Sequence, residues 1–89
     1  ILIDRPLWPA RGRVWSHLVS DLSFEELHTF AARLGVPPRA FERDHYDVPE
    51  ELYGAAIDLG AEAVGCQELL NRLTTAGLRR RKVNRRAGA

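Results

Sequence analysis

Residues 14–35 read VWSHLVSDLSFEELHTFAARLG, and they decide what kind of fold the chain adopts. Val14–Val19 alternates, with Trp15, His17 and Val19 on one face and Val14, Ser16 and Leu18 on the other. Apolar groups stand on both faces, the pattern of a central strand covered on both sides. Ser23, with Glu26 three residues on, forms a capping box that opens a helix over residues 24–34. Phe24, Leu27, Ala31 and Leu34 make one apolar stripe of that helix, with Phe30 beside it. Gly35 supplies the stop, and Pro37-Pro38 forbids continuation.

Working outward, Ile1-Leu2-Ile3 is a short β-type run broken by Asp4-Arg5-Pro6. Pro6, Pro9 and Gly12 predict an irregular loop over residues 5–12. On the other side, residues 38–42 predict one helical turn and His45–Val48 a third strand. Pro49 sits at a first helical position, with Glu50 and Glu51 complementing the positive end of the helix dipole. Leu52, Ala55, Ala56 and Leu59 continue that helix to Gly60. Glu62–Val64 predicts a fourth strand, and Gly65 caps a last helix over residues 66–76, with Leu69, Leu70 and Leu73 inward and Gly77 as the stop.

From residue 14 onward strands and helices alternate. The pattern predicts a small single-domain α/β layered fold with a short, mostly parallel sheet of three to four strands and three main helices. The first strand lies antiparallel or pairs elsewhere, because residues 5–12 are too few for a helical crossover. The domain is expected to span residues 1–78, with a basic tail without periodicity, and so disordered, over residues 79–89.

Hydrophobic residues make up 45 % of the 89-residue chain and charged residues 28 %, a globular balance that excludes a disordered or collagen-like chain. No apolar run approaches the roughly 20 residues that span a bilayer, so no membrane partner is expected. Cys66 is the one cysteine; it excludes a disulfide framework and points to a reducing, cytoplasmic setting. Six of the 13 basic residues, Arg79, Arg80, Arg81, Lys82, Arg85 and Arg86, fall within residues 79–86. Seven then remain against 12 acidic residues, a body near −5 beside a tail of +6. Such a tail attracts nucleic acid by counterion release, with little specificity because no aromatic residue is interleaved for base stacking. A solubilising tail, or one folded back on the acidic body, fits the same charges.

The segments Val14-Trp15-Ser16-His17-Leu18-Val19-Ser20-Asp21, Glu26-Leu27-His28, His45-Tyr46-Asp47, Gly60-Ala61 and Glu68-Leu69 together resemble a small family of bacteria and their phages. That family is catalogued as a domain of unknown function. The resemblance spans roughly residues 1–73 and highlights His17, Asp21, His28, His45 and Asp47. It implies no activity. Its members follow the first strand with an acidic pair; here Asp4 is followed by Arg5.

Histidines and carboxylates carry the chemistry on offer. Where strands end at one edge of a parallel sheet, His17, Asp21, His28, His45 and Asp47 can meet, a donor set that suits Zn, Mn, Fe or Ni. His45, Asp47 and His17 equally form an acid/base set, with a carboxylate orienting an imidazole. The alternative is buried histidines satisfied by backbone or carboxylate partners. Arg11 and Arg13 flank Gly12 and match the geometry of a phosphorylated ligand, though a solvated loop explains them too. Cys66 at a helix start and Tyr46, facing away from His45 and Asp47, are read as packing residues.

Two readings follow. In the first, a polar pocket binds a divalent transition metal or a phosphorylated ligand, with hydrolytic chemistry. In the second, a non-catalytic module contacts nucleic acid through its tail. A homodimer through an edge strand or helix face is compatible with either.

Overall fold

The structure is a computed structural model that describes residues 1–80. Among the described residues six strands form one sheet: β1 (Leu2–Ile3), β2 (Trp8–Ala10), β3 (Arg13–Val19), β4 (Phe41–Glu42), β5 (His45–Pro49) and β6 (Glu62–Ala63). The order is β4-β5-β3-β1-β6, with β2 also pairing β3. Helices α1 (Phe24–Leu34), α2 (Tyr53–Asp58) and α3 (Cys66–Thr75) flank it, and 3-10 turns cover Pro38–Ala40 and Glu50–Leu52. Among the described residues no helix is long and apolar enough to cross a membrane. Arg81, Lys82, Arg85 and Arg86 of the basic tail lie outside the described residues.

The α/β class holds, but the sheet is larger than the expected three to four strands and is mostly antiparallel. β1, β2 and β5 all run antiparallel to β3, and β4 runs antiparallel to β5; only β1 and β6 are parallel. The reason lies in two hairpins. After α1, β4 carries the chain back to the end of β3 from which α1 departed, so β5 enters from that end, with Tyr46 opposite Leu18 and Pro49 opposite Trp15. The hairpin turns at Arg43, which takes φ 57. The Asp44 amide closes on the Glu42 carbonyl at 2.6 Å. Neither Gly nor Asn marks this turn, so the sequence gives no hairpin signal there.

The second hairpin corrects the irregular loop expected over residues 5–12. Trp8, Pro9 and Ala10 pair with Trp15, Val14 and Arg13 through the two-residue turn Arg11-Gly12, whose φ angles are 51° and 72°. Both central residues are left-handed, as tight antiparallel hairpins require, and Gly12 adopts this conformation without strain. Pro9 is tolerated because, among the described residues, β2 is paired along the β3 edge only.

α1 forms as its caps dictate. Ser23 Oγ accepts from the Glu26 amide at 3.0 Å, and Gly35 takes φ 88 to end the helix. Its inner face joins Ile3, Leu18, Tyr46, Val48, Ala56 and Ala61 around Leu27, Phe30, Ala31 and Leu34 in the main core. On the opposite face of the sheet, α3 packs Leu69 and Leu73 against Leu2 and Val19. The architecture is therefore three-layered. α3 covers only one end of its face, and the rest of that face carries the polar residues His17, His45 and Asp47.

Candidate metal centre

The antiparallel register of β3 and β5 builds the site. His17 lies directly opposite Asp47. His45, two residues earlier on β5, projects to the same face and sits diagonally from His17. The two imidazoles meet edge to face with centroids 5.1 Å apart. One donor atom from each of His17, His45 and Asp47 lies within 4.8 Å of the other two. Convergence thus comes from cross-strand pairing within the sheet, not from the strand ends of a parallel sheet.

Each imidazole is oriented by a buried carboxylate. Asp4, at the break between β1 and β2, is 1 % exposed. Its Oδ1 accepts from the His17 amide at 2.6 Å, and its Oδ2 lies 2.8 Å from His17 Nδ1 and accepts from Trp8 Nε1 at 3.0 Å. The Trp8 ring packs on the His17 ring at 5.1 Å. Asp44, in the β4–β5 turn and also 1 % exposed, places Oδ1 2.9 Å from His45 Nδ1. Its Oδ2 accepts from the Arg80 amide at 2.9 Å and from Arg79 Nη1 at 3.2 Å. With Nδ1 engaged on both rings, Nε2 is the nitrogen left to a ligand. His45 Nε2 lies 3.2 Å from Asp47 Oδ1.

Burial pushes the His45 pKa down, but hydrogen bonds to Asp47 and Asp44 and the charges of both outweigh it and hold the ring above its ordinary 6.5. The hydrogen bond to His45 holds Asp47 below 3.8, against burial and with help from the charges of His45, His17 and Arg11. For Asp44, burial raises the pKa, yet the His45 hydrogen bond, the Arg80 amide and the charges of His45 and Arg79 prevail, and it too stays below 3.8.

The other residues singled out by sequence stand elsewhere. Asp21 pairs with Arg72 of α3 at 2.8 Å. His28 shares a 2.7 Å hydrogen bond with the Tyr46 hydroxyl and packs on Phe41 at 4.8 Å, on the main-core side of the sheet. Arg11 lies over the Trp15 ring at 4.8 Å; Arg13 lies over it at 5.5 Å and pairs with Glu51. Together with Arg39, these two arginines line a groove that includes Asp47. On its other side the histidine pair opens on a cleft of about 280 Å³, walled by Val19, Leu69, Leu70 and Leu73.

These observations fix a two-imidazole, one-carboxylate cluster with a carboxylate behind each ring. The chain belongs to the family described as "Protein of unknown function (DUF4031)". The family model matches residues 1–76, which hold Asp4, His17, Asp44, His45 and Asp47. No curated protein and no solved structure matches the chain.

Asp44 escaped the sequence reading, and Asp4 entered it only as a strand breaker and as the acid that follows the first strand in the family resemblance. Asp44 is one acid among several in a turn. A signal existed for each: an acid closing an apolar strand, and an acid directly preceding a histidine. Neither reveals burial without the pairing of the strands.

Proposed function

We propose that His17, His45 and Asp47 hold a divalent transition metal and that the site acts hydrolytically on a phosphorylated ligand. The observation that carries this reading is the paired arrangement in which a buried carboxylate engages Nδ1 of each imidazole, with His45 Nε2 turned toward Asp47 and one donor atom from each of His17, His45 and Asp47 within 4.8 Å of the others. Carboxylates placed in this way behind metal-binding histidines fix the ring orientation and raise ligand basicity. Two imidazoles and a carboxylate suit Zn, Mn, Fe or Ni, and three protein donors leave coordination positions open. A bound ion would supply Lewis acidity and a nucleophile from water at neutral pH. Arg11, Arg13 and Arg39, beside Asp47 in one groove, supply guanidinium forks for phosphoryl oxygens.

The test is hydrolysis of para-nitrophenyl phosphate by the full chain with added Zn or Mn. Activity that falls at least about a hundredfold in His45→Ala and Asp47→Ala, with an increased KM in Arg11→Ala, supports the reading. Metal-dependent activity equal in wild type and His45→Ala would sink it.

A second reading rests on the charge of residues 79–86. Arg79 and Arg80 bind Asp44; Arg81, Lys82, Arg85 and Arg86, outside the described residues, carry the charge that would attract a nucleic-acid backbone. Deleting residues 81–89 then abolishes a salt-sensitive retention on single-stranded DNA; retention unchanged by the deletion excludes this contact.

A further inference from the structure

Asp44 faces two ways. Its Oδ1 holds His45 Nδ1 at 2.9 Å, while its Oδ2 takes both its hydrogen bonds from the segment that follows α3. Gly77, at φ 77, turns the chain out of that helix. The Leu78 amide returns to the Leu73 carbonyl at 3.1 Å, and the Leu78 side chain packs on the cluster of Leu2, Val19, Leu69 and Leu73. The next two residues cross to the β4–β5 turn. The Arg80 amide and Arg79 Nη1 bind Asp44, Arg80 Nη1 donates to the Arg43 carbonyl at 3.3 Å, and the Arg80 guanidinium lies 4.1 Å from the Phe24 ring centroid. Arg79 also lines the cleft onto which His17 and His45 open.

We propose that residues 78–80 form a positioning strap: by fixing the Asp44 carboxylate they fix the His45 ring, and so set the metal affinity of the site. The inference rests on the metal reading above. A carboxylate held at one oxygen can rotate about its Cβ–Cγ bond. One held at both oxygens, by an amide and a guanidinium on one side and an imidazole on the other, presents a fixed plane to the ring. Asp44 is buried, so loss of the strap leaves a charged oxygen without donors, and the carboxylate turns away from His45 to find others. The strap lies beyond residues 1–76, the stretch matched to the family.

The test is a cobalt(II) titration of the full chain, followed by visible absorption, for wild type, Arg80→Pro, Arg80→Ala, Arg79→Gln and Arg79→Lys. Arg80→Pro deletes the amide donor and is expected to weaken cobalt binding about tenfold, the usual scale for an outer partner of a metal ligand. Arg80→Ala keeps the amide and loses less than Arg80→Pro. Arg79→Gln weakens binding severalfold, and Arg79→Lys recovers most of that loss. Circular dichroism checks that each variant is folded; if Arg80→Pro is not, the Arg79 pair decides. Wild type without cobalt uptake overturns the metal reading itself. Cobalt bound equally well by wild type, Arg80→Pro and Arg79→Gln overturns the strap alone. Equal losses in Arg80→Ala and Arg80→Pro overturn it as well, since the amide would then hold nothing.

Discussion

At the scale of single residues, two buried acids, Asp4 and Asp44, stand behind the histidines, and the half-buried Asp47 stands beside them. Asp4 closes the β1–β2 break by accepting the His17 amide and the Trp8 indole while engaging the His17 ring. Asp4→Ala removes a buried acceptor from the half-buried His17 amide and the Trp8 indole and is expected to cost about 2 kcal/mol in urea unfolding, with a metal affinity about tenfold lower. A variant as stable as wild type would show that these contacts contribute nothing net. The pH dependence follows from the shifted groups. His45 titrates above 6.5 in the folded chain, so its contribution to stability is full below pH 6.5 and is lost as pH rises through the raised value. Asp44 and Asp47 titrate below 3.8, so their contribution is present above that pH and is lost as pH falls through the depressed values. Metal binding has the opposite slope on the histidine side. The ion displaces the His45 proton, so affinity rises as pH rises through the His45 value. Calorimetric titrations at several pH values check this sign; affinity independent of pH would contradict a role for His45 as ligand.

At the scale of elements, local chemistry was readable wherever it was self-contained. Ser23, Glu26, Gly35 and the apolar stripe state the ends and inner face of α1 without help from the rest of the chain, and the helix covers residues 24–34 as they predict. Ser23→Ala should cost about 1 kcal/mol through loss of the cap, and Leu27→Ala, at a fully buried position, about 2–5 kcal/mol. Chemical denaturation of the two variants checks both values, and equal costs would mean that the helix is held by its cap rather than its packing. The hairpins were harder to read. Pro9 reads as a breaker because a proline in a strand is tolerated only at an edge, and nothing local says that β2 is one. The Arg43 turn uses an arginine at φ 57, where sequence patterns look for Gly or Asn. The helix–strand alternation was real, but the direction of β5 was set by two residues of β4 too short to show a period. In the β2–β3 turn, Gly12→Ala meets no neighbouring atom and suffers only its positive φ, a cost of about 1 kcal/mol.

At the scale of the whole molecule, one sheet separates two kinds of surface. One face is a continuous apolar core under α1 and α2; the other is apolar beneath α3 and beyond it carries His17, His45 and Asp47 beside Trp8 and Trp15. His17, His45 and Asp47 were legible as candidates by residue type, but the cross-strand register that joins them was not, since β3 reads as apolar on both faces and the sheet as parallel. Asp21 and His28 fit the same composition but fall on other elements. Asp21 meets Arg72, 51 residues away, and His28 meets Tyr46 across the core, pairings that depend on the packing of helices onto the sheet. Because the site joins β1, β3, β5 and the strap, an ion held there binds the folded chain alone. Saturation at a hundred times the dissociation constant should then stabilise the fold by about 2.7 kcal/mol. Thermal melts with and without Zn check this, and an unchanged midpoint would mean that the ion does not bind the native fold.

The central claim, a metal held by His17, His45 and Asp47, is tested most directly by elemental analysis of the full chain purified without a metal-binding tag, beside His17→Ala and His45→Ala. The expected result is one equivalent of a divalent transition metal in wild type and its loss in both variants while the fold persists. A wild-type chain that stays metal-free after incubation with Zn, Mn, Fe and Ni, or variants that retain the full equivalent, would contradict it.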